Sequence, residues 1–364
     1  MTSNRPIERS ATGHRRPAEA PASRWVGALA AGHHWLDNSF DTTTGVRWDG
    51  GVALHDDEIE IDLPLVRALV DRAMPELAGR PLRALDASGS SNALFRLGDD
   101  LLVRLLRQPG GAETIAKEAL WLPHVAPALR VSVPEIVAAG EPDLANPERW
   151  SVVRWLDGQT PTVPAGPDEV GGLARALAEV VGSLGGLTVP ADALEDPALR
   201  WYRGEPLAAM DAATRAYLAQ RRRLPGLDLD IDGCLHVWDA AMALPDADRV
   251  GSPRWLHGDL LAENLLVRDG DLAAVLDFGG LAVGDPTVDL VVAWELLDPP
   301  GRDLFRSLVD IDEATWLRGR AWALAIAAMT FPYYSDTVTD RCAARLTMAR
   351  AVLADAAGPS PKGP

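Results

Sequence analysis

The sequence predicts an α+β chain of two lobes: a five-stranded antiparallel sheet with one helix, followed by a mostly helical lobe. Three observations predict it. Short apolar runs separated by turn residues fill positions 82–155, and helical periodicity dominates from Val170 to Ala356. A length of 364 residues also suits two lobes with a sizeable shared core.

Residues 1–55 read as an amino-terminal extension. Positions 1–24 mix Arg, Pro, Ser and Ala with little apolar periodicity, the composition of a disordered tail. His33-His34-Trp35 has no further ligand at a metal-binding spacing, and positions 41–51 read as turns. No chemistry is assigned to this segment.

The first lobe spans residues 56–157. Ile61, Leu65, Leu69 and Ala73, flanked by Val66 and Val70, make a helical stripe that stops near Pro75. Strand-like runs follow at 82–87, 93–97 and 101–106, with Gly98-Asp99-Asp100 turning between the last two. A helix over 113–121 comes next, then strands at 134–140 and 150–155. The second lobe, residues 158–364, carries helices over 170–187, 205–222, 231–244, 315–329 and 337–356. No internal repeat is visible.

The chemistry concentrates in one stretch. His257-Gly258-Asp259-Leu260-Leu261-Ala262-Glu263-Asn264 precedes Asp277-Phe278-Gly279. An Asp, an Asn five residues on and an Asp thirteen beyond that are the polar groups phosphoryl transfer needs. One Asp orients a hydroxyl and accepts its proton, while the Asn and second Asp hold Mg²⁺ against the nucleotide phosphates. Between them, positions 265–268 and 272–276 with a turn at Asp269-Gly270 read as a hairpin that folds Asn264 towards Asp277. Each fragment alone could be a solvated turn or an unrelated loop; the combination at this spacing sets that reading aside.

The wording departs from protein kinases. Gly258 stands where they write Arg, and no Ala-Pro-Glu follows Asp277. The chain continues instead into Gly284-Asp285-Pro286-Thr287-Val288-Asp289-Leu290. His-Gly-Asp-Leu, Asp-Phe-Gly and Gly-Asp-Pro-x-x-Asp-Leu together resemble the aminoglycoside phosphotransferase family, small-molecule kinases of protein-kinase-like fold. The resemblance covers roughly residues 56–355 and is poor at naming a substrate.

The resemblance implies a nucleotide site in the first lobe. Ser88, Gly89, Ser90, Ser91 and Asn92 form a loop whose backbone N–H groups could lie on phosphates, although a plain β-turn would look the same. Arg104 occupies the strand position where kinases place a Lys. It keeps the charge in a larger, forked form, and Arg is common here in the family. Glu118 is the chosen partner for Arg104, with Glu113 the rival; helical spacing places Ile115, Ala119 and Leu122 on one apolar side without deciding between the acids. Val153 and Trp155 mark the segment whose backbone would meet the purine edge, which leaves ATP and GTP unseparated.

Other residues near the motif read as support. His257 reads as a structural hydrogen-bonding residue and Gly258 as a backbone requirement beside Asp259, while the family resemblance implies that Asp289 braces the loop 279–286. Glu263 reads as a solvated loop acid, and Asp285 could face substrate. Asp298, Asp303, Asp310, Asp312 and Glu313 would, by the resemblance to aminoglycoside kinases, grip substrate ammonium groups, though helix caps and exposed faces account for them equally. The aromatic segments around Trp316, Trp322 and Phe331 read as core.

A net charge of −17 argues against nucleic acid or anionic membrane as a partner and would suit a cationic small molecule. Cys234 and Cys342 give no metal or disulfide pattern. No apolar run reaches the roughly 18–20 residues of a membrane span, and no signal segment is evident, so a cytoplasmic monomer or homodimer is expected. The expected function is Mg²⁺-dependent transfer of the γ-phosphate of ATP or GTP to a hydroxyl of an aminoglycoside or other antibiotic-like molecule. A metabolic kinase for a sugar, choline-like or amino-alcohol substrate shares every motif. A nucleotide-binding pseudokinase would be favoured only by Arg104.

Overall fold

The computed structural model describes residues 59–85, 92–163, 166–222, 228–334 and 339–358. Helix α1 (Leu63–Ala73) starts where Asp62 accepts the Leu65 N–H at 2.7 Å, with Pro64 in its first turn. Its apolar stripe buries Val66, Leu69 and Val70 against the sheet.

That sheet comprises β1 (Leu82–Ala84), β2 (Asn92–Leu97), β3 (Leu101–Leu106), β4 (Ile136–Gly140) and β5 (Trp150–Arg154). The spatial order is β1-β2-β3-β5-β4, and every neighbouring pair is antiparallel. Alternation along β2 turns Ala93, Phe95 and Leu97 inward, where they meet Val103, Leu105, Trp150 and Val152. The five strands match the expected number and sequence order. Helix α2 (Ala112–Val125) lies between β3 and β4 and runs past its expected end through Pro123. Proline costs little there, because the carbonyl it leaves unbonded belongs to the exposed Ala119.

The second lobe opens with α3 (Pro167–Gly186), α4 (Asp211–Arg221) and α5 (Ile231–Met242). The helix expected over 205–222 begins only at Asp211. Before it, Gly204 lies against Gly284, where its carbonyl accepts the Asp285 N–H at 2.8 Å, and Pro206 supplies no N–H. Strand β6 (Arg254–Leu256) pairs with β9 (Ala282–Gly284), while β7 (Leu265–Arg268) and β8 (Asp271–Val275) form the expected hairpin. Its turn places Asp269 and Gly270 at φ 55° and 89°, the positive values that match strand twist in a tight hairpin.

Helix α6 (Pro299–Val309) was not expected from periodicity. Asp298 accepts the Gly301 N–H at 2.8 Å and two prolines open the helix, so residues that look like a break form its start. Helices α7 (Glu313–Tyr334) and α8 (Thr339–Ala357) complete the lobe. Trp238, Trp255, Trp294 and Trp322 are fully buried in one continuous core. Among the described residues no helix is long and apolar enough to cross a membrane.

Candidate active site

The loop between β6 and β7 is fixed from beneath by a buried acid. Asp289 accepts the backbone N–H groups of His257 at 2.6 Å and Gly258 at 2.8 Å. It therefore braces residues 257–258 rather than the 279–286 loop. Burial pushes its carboxyl above the ordinary value, against the opposing pull of His257 and the two N–H groups. The His257 ring spans two segments: Nε2 lies 2.9 Å from the Leu276 carbonyl, and Nδ1 accepts the Asp259 N–H at 3.2 Å. These contacts leave the proton on Nε2 and give the ring the structural role expected of it.

Gly258 meets a steric demand. Its φ is +79°, and a Cβ there would lie 2.4 Å from the Gly280 carbonyl and 2.9 Å from the Trp201 ring. Trp201 also fills the space over Gly280. The segment 201–204 thus packs against both sequence blocks.

Asp259 is held on both carboxylate oxygens. Oδ2 accepts from the Asn264 amide at 3.1 Å, and the same amide donates to the Asp259 carbonyl at 2.9 Å. Oδ1 is paired with the Arg203 guanidinium. Arg203 also donates to the Gly258 carbonyl at 2.9 Å and through Nε to the Tyr202 hydroxyl at 2.8 Å. Burial opposes ionisation of Asp259, but Arg203 outweighs it and holds the carboxyl below its ordinary value. Arg203 went unnoticed in the sequence because a lone Arg between Tyr and Gly matches no spacing rule.

The hairpin brings the second acid back to this point. The Leu276 N–H donates to the Asn264 carbonyl at 2.7 Å, which places Asp277 beside the loop. Asp277 adopts φ +54°, and its Oδ1 accepts the Gly279 N–H at 3.3 Å. Burial, then the charges of Glu118 and Asp259, push its carboxyl up, with Arg104 pulling the other way. Among the described residues no group of three or more His, Cys, Asp or Glu side chains is placed to hold a metal by itself. An amide oxygen from Asn264 and a carboxylate from Asp277 nonetheless suit Mg²⁺, which takes few protein oxygens and fills its shell with phosphates and waters. The crowding of Asp277, Glu118 and Asp259 is the negative field a divalent cation relieves. The residues fit the ion.

Across from these groups, Arg104 on β3 is paired with Glu118 on α2 and donates through Nε to Ser151 Oγ at 3.2 Å. Glu118 is 2% exposed whereas Glu113 faces solvent, which decides between the two acids. Arg104 stays charged because Glu118 overcomes the burial that opposes it. The neighbouring Lys117 is buried too, and its Nζ donates to the Gly279 carbonyl at 2.6 Å. Burial pushes its pKa down to about 8, against Glu118 and Asp277. Of the expected apolar side of α2, Ile115 and Leu122 are buried but Ala119 is exposed, and Lys117 and Glu118 are buried as well.

The remaining expected residues are more scattered. Ser88, Gly89, Ser90 and Ser91 lie outside the described residues. Asn92 starts β2 opposite Leu106, and Val153 is buried between β3 and β4. Trp155 stacks under Arg96, 3.7 Å from ring centroid to guanidinium carbon, and its backbone N–H donates to the Asp100 carbonyl at 2.9 Å. That bond takes up the Trp155 backbone N–H. Glu263 is not a free loop acid, because Arg345 and Arg341 pair with it. Asp285 accepts the Thr287 N–H at 3.0 Å and is buried, and Asp298 and Asp312 cap helices. Trp316, Trp322 and Phe331 are core residues, as expected.

The profile of the phosphotransferase enzyme family matches residues 83–322. Among solved structures, the chain is similar to an aminoglycoside phosphotransferase in complex with GDP and kanamycin, at 20% identity and TM-score 0.59, over 81% of this chain and 98% of that one. The streptomycin–ATP ternary complex of another such enzyme matches at 14% identity and TM-score 0.54, over 81% and 99% of the two chains. A macrolide 2′-phosphotransferase from Brachybacterium faecium matches at 24% identity and TM-score 0.52, over 82% and 100%. At these identities the likeness is one of fold. No curated protein sequence matches the chain.

Proposed function

Because this chain belongs to the phosphotransferase enzyme family, we propose that it transfers the γ-phosphoryl group of ATP or GTP to a hydroxyl of an aminoglycoside or another antibiotic-like molecule. The observation that carries the reading is the convergence of Asp259, Asn264 and Asp277 opposite the Arg104–Glu118 pair. Solved structures of similar fold hold GDP with kanamycin and ATP with streptomycin, which supports both nucleotides and an antibiotic acceptor.

In this reading Asp259 orients the acceptor hydroxyl towards the γ-phosphorus and takes its proton. The acceptor oxygen bonds to phosphorus as the bond to the β-phosphate oxygen breaks, and the nucleoside diphosphate leaves. Asn264 and Asp277 supply the oxygens that would hold Mg²⁺, whose charge offsets that of the β- and γ-phosphates. Arg104, fixed by Glu118, neutralises the α/β side, and residues 88–92 with Val153 and the Trp155 carbonyl contribute the remaining nucleotide contacts. The transition state is loose, so positioning and electrostatics supply the acceleration.

The test is a nucleotide-consumption screen of the purified chain with Mg²⁺ and ATP or GTP. Its acceptors are aminoglycosides, macrolides, nucleoside and peptide antibiotics, sugars and amino alcohols, with Asp259→Ala as control. Turnover on an antibiotic, lost in the control, is the expected result. Turnover on a metabolite alone would transfer the chain to the metabolic reading, and a fully active Asp259→Ala would overturn the mechanism.

A further inference from the structure

We infer that Arg203 is a positioning residue for phosphoryl transfer, holding the Asp259 carboxylate in the orientation that receives the acceptor hydroxyl. The inference rests on the reading of Asp259 above.

The geometry is specific. Arg203 reaches the loop from a separate segment, fifty-six residues earlier in the chain, and pairs with Oδ1 while Asn264 takes Oδ2. With one partner on each oxygen, the carboxylate has no freedom to rotate about its last torsion. Every oxygen keeps a second lone pair, so a hydroxyl can still donate to it. Arg203 is itself fixed: the Gly258 carbonyl and Tyr202 hydroxyl take its donors, and the Trp201 and Tyr202 rings lie 5.0 and 5.5 Å from its guanidinium carbon. Trp201 in turn is wedged over Gly258 and Gly280.

A surface ion pair would have none of these supports. The Arg203 side chain is 11% exposed, and burying a guanidinium is costly unless its partner needs it. Replacing it with Lys keeps one charge but loses the fork that serves Asp259, Gly258 and Tyr202 together.

The experiment compares Arg203→Met, Arg203→Lys and Asp259→Asn in the acceptor screen, with crystal structures of the wild-type and Arg203 variants. Arg203→Met is expected to lower kcat about 100-fold, the scale of a small misplacement at a reacting group. KM for the nucleotide should stay within about twofold, since the nucleotide groups are untouched. Arg203→Lys should recover part of the loss, and Asp259 should leave its rotamer in the Arg203→Met crystals. Unchanged kcat in Arg203→Met beside an inactive Asp259→Asn would overturn the inference while leaving the functional reading intact. Full activity in Asp259→Asn would overturn that reading itself. If Arg203→Met does not fold, unchanged kcat in Arg203→Lys decides against the inference. If no acceptor supports turnover, an unmoved Asp259 carboxylate in the variant crystals does the same.

Discussion

Lys117 donates a 2.6 Å hydrogen bond to the Gly279 carbonyl, 162 residues further along the chain. Its neighbour Glu118 pairs with Arg104 on the adjacent strand. Successive residues on a helix point about 100° apart, so one turn of α2 grips the sheet with one side chain and the loop after Asp277 with the next. The spatial relation between the two halves of the site thus depends on two adjacent charged residues.

Glu118→Gln should destabilise the protein by about 3–5 kcal/mol, because it leaves the buried Arg104 guanidinium without a carboxylate. Glu113→Gln, on the exposed face of the same helix, should stay within about 0.5 kcal/mol. Denaturant midpoints at constant m-value measure both. Equal midpoints for the two variants would contradict the pairing.

Gly280→Ala should cost about 1–3 kcal/mol and impair turnover. The added Cβ would sit 2.3 Å from the Trp201 ring and 2.8 Å from the His257 carbonyl, and neither can withdraw without moving the loop that bears Asp259. Gly251→Ala meets nothing within 4 Å and should be close to neutral. Thermal unfolding and nucleotide consumption compare the two.

Arg345→Met should be among the most disruptive changes in the helical lobe. Arg345 pairs with Glu295, whose other oxygen accepts the Ala262 N–H at 2.8 Å, and with Glu263. Without it, only the Ala262 N–H still favours the charged Glu295 against burial and the nearby Glu263 charge. A loss of about 3–5 kcal/mol is expected. The double variant Arg345→Met/Glu295→Leu should recover part of it, and strictly additive unfolding energies would argue against the pairing.

Cys234 should resist alkylation at pH 8 in the folded protein. Burial, then the nearby Asp230 charge, push its thiol pKa up to about 12. In the unfolded chain the thiol ionises at its ordinary, lower value. Folding therefore holds the proton, and stability falls as pH rises from that ordinary value towards 12. Thiol labelling at pH 8 before and after denaturation tests the protection. The pH dependence of unfolding in Cys234→Ala against wild type tests the sign, and a variant with the same alkaline slope would refute it.

The sequence by itself determined the elements and the chemistry whose signals are local. Alternating residues located the sheet strands, Asp269-Gly270 located the hairpin turn, and the spacing of Asp259, Asn264 and Asp277 pointed to the loop proposed to carry phosphoryl transfer. Tertiary structure alone decided who pairs with whom. Glu118 over Glu113, Glu295 and Arg345, and Arg203 on Asp259 are contacts between segments distant in sequence, and no periodicity encodes a partner. Helix α2 shows the reason: Ile115 and Leu122 are buried as its apolar pattern favours, but Ala119 is exposed and Lys117 is buried instead, its Nζ on the Gly279 carbonyl beside the Glu118–Arg104 pair. A charge is turned inward only when the folded chain supplies its counterpart, and that counterpart comes into existence only once the chain has folded.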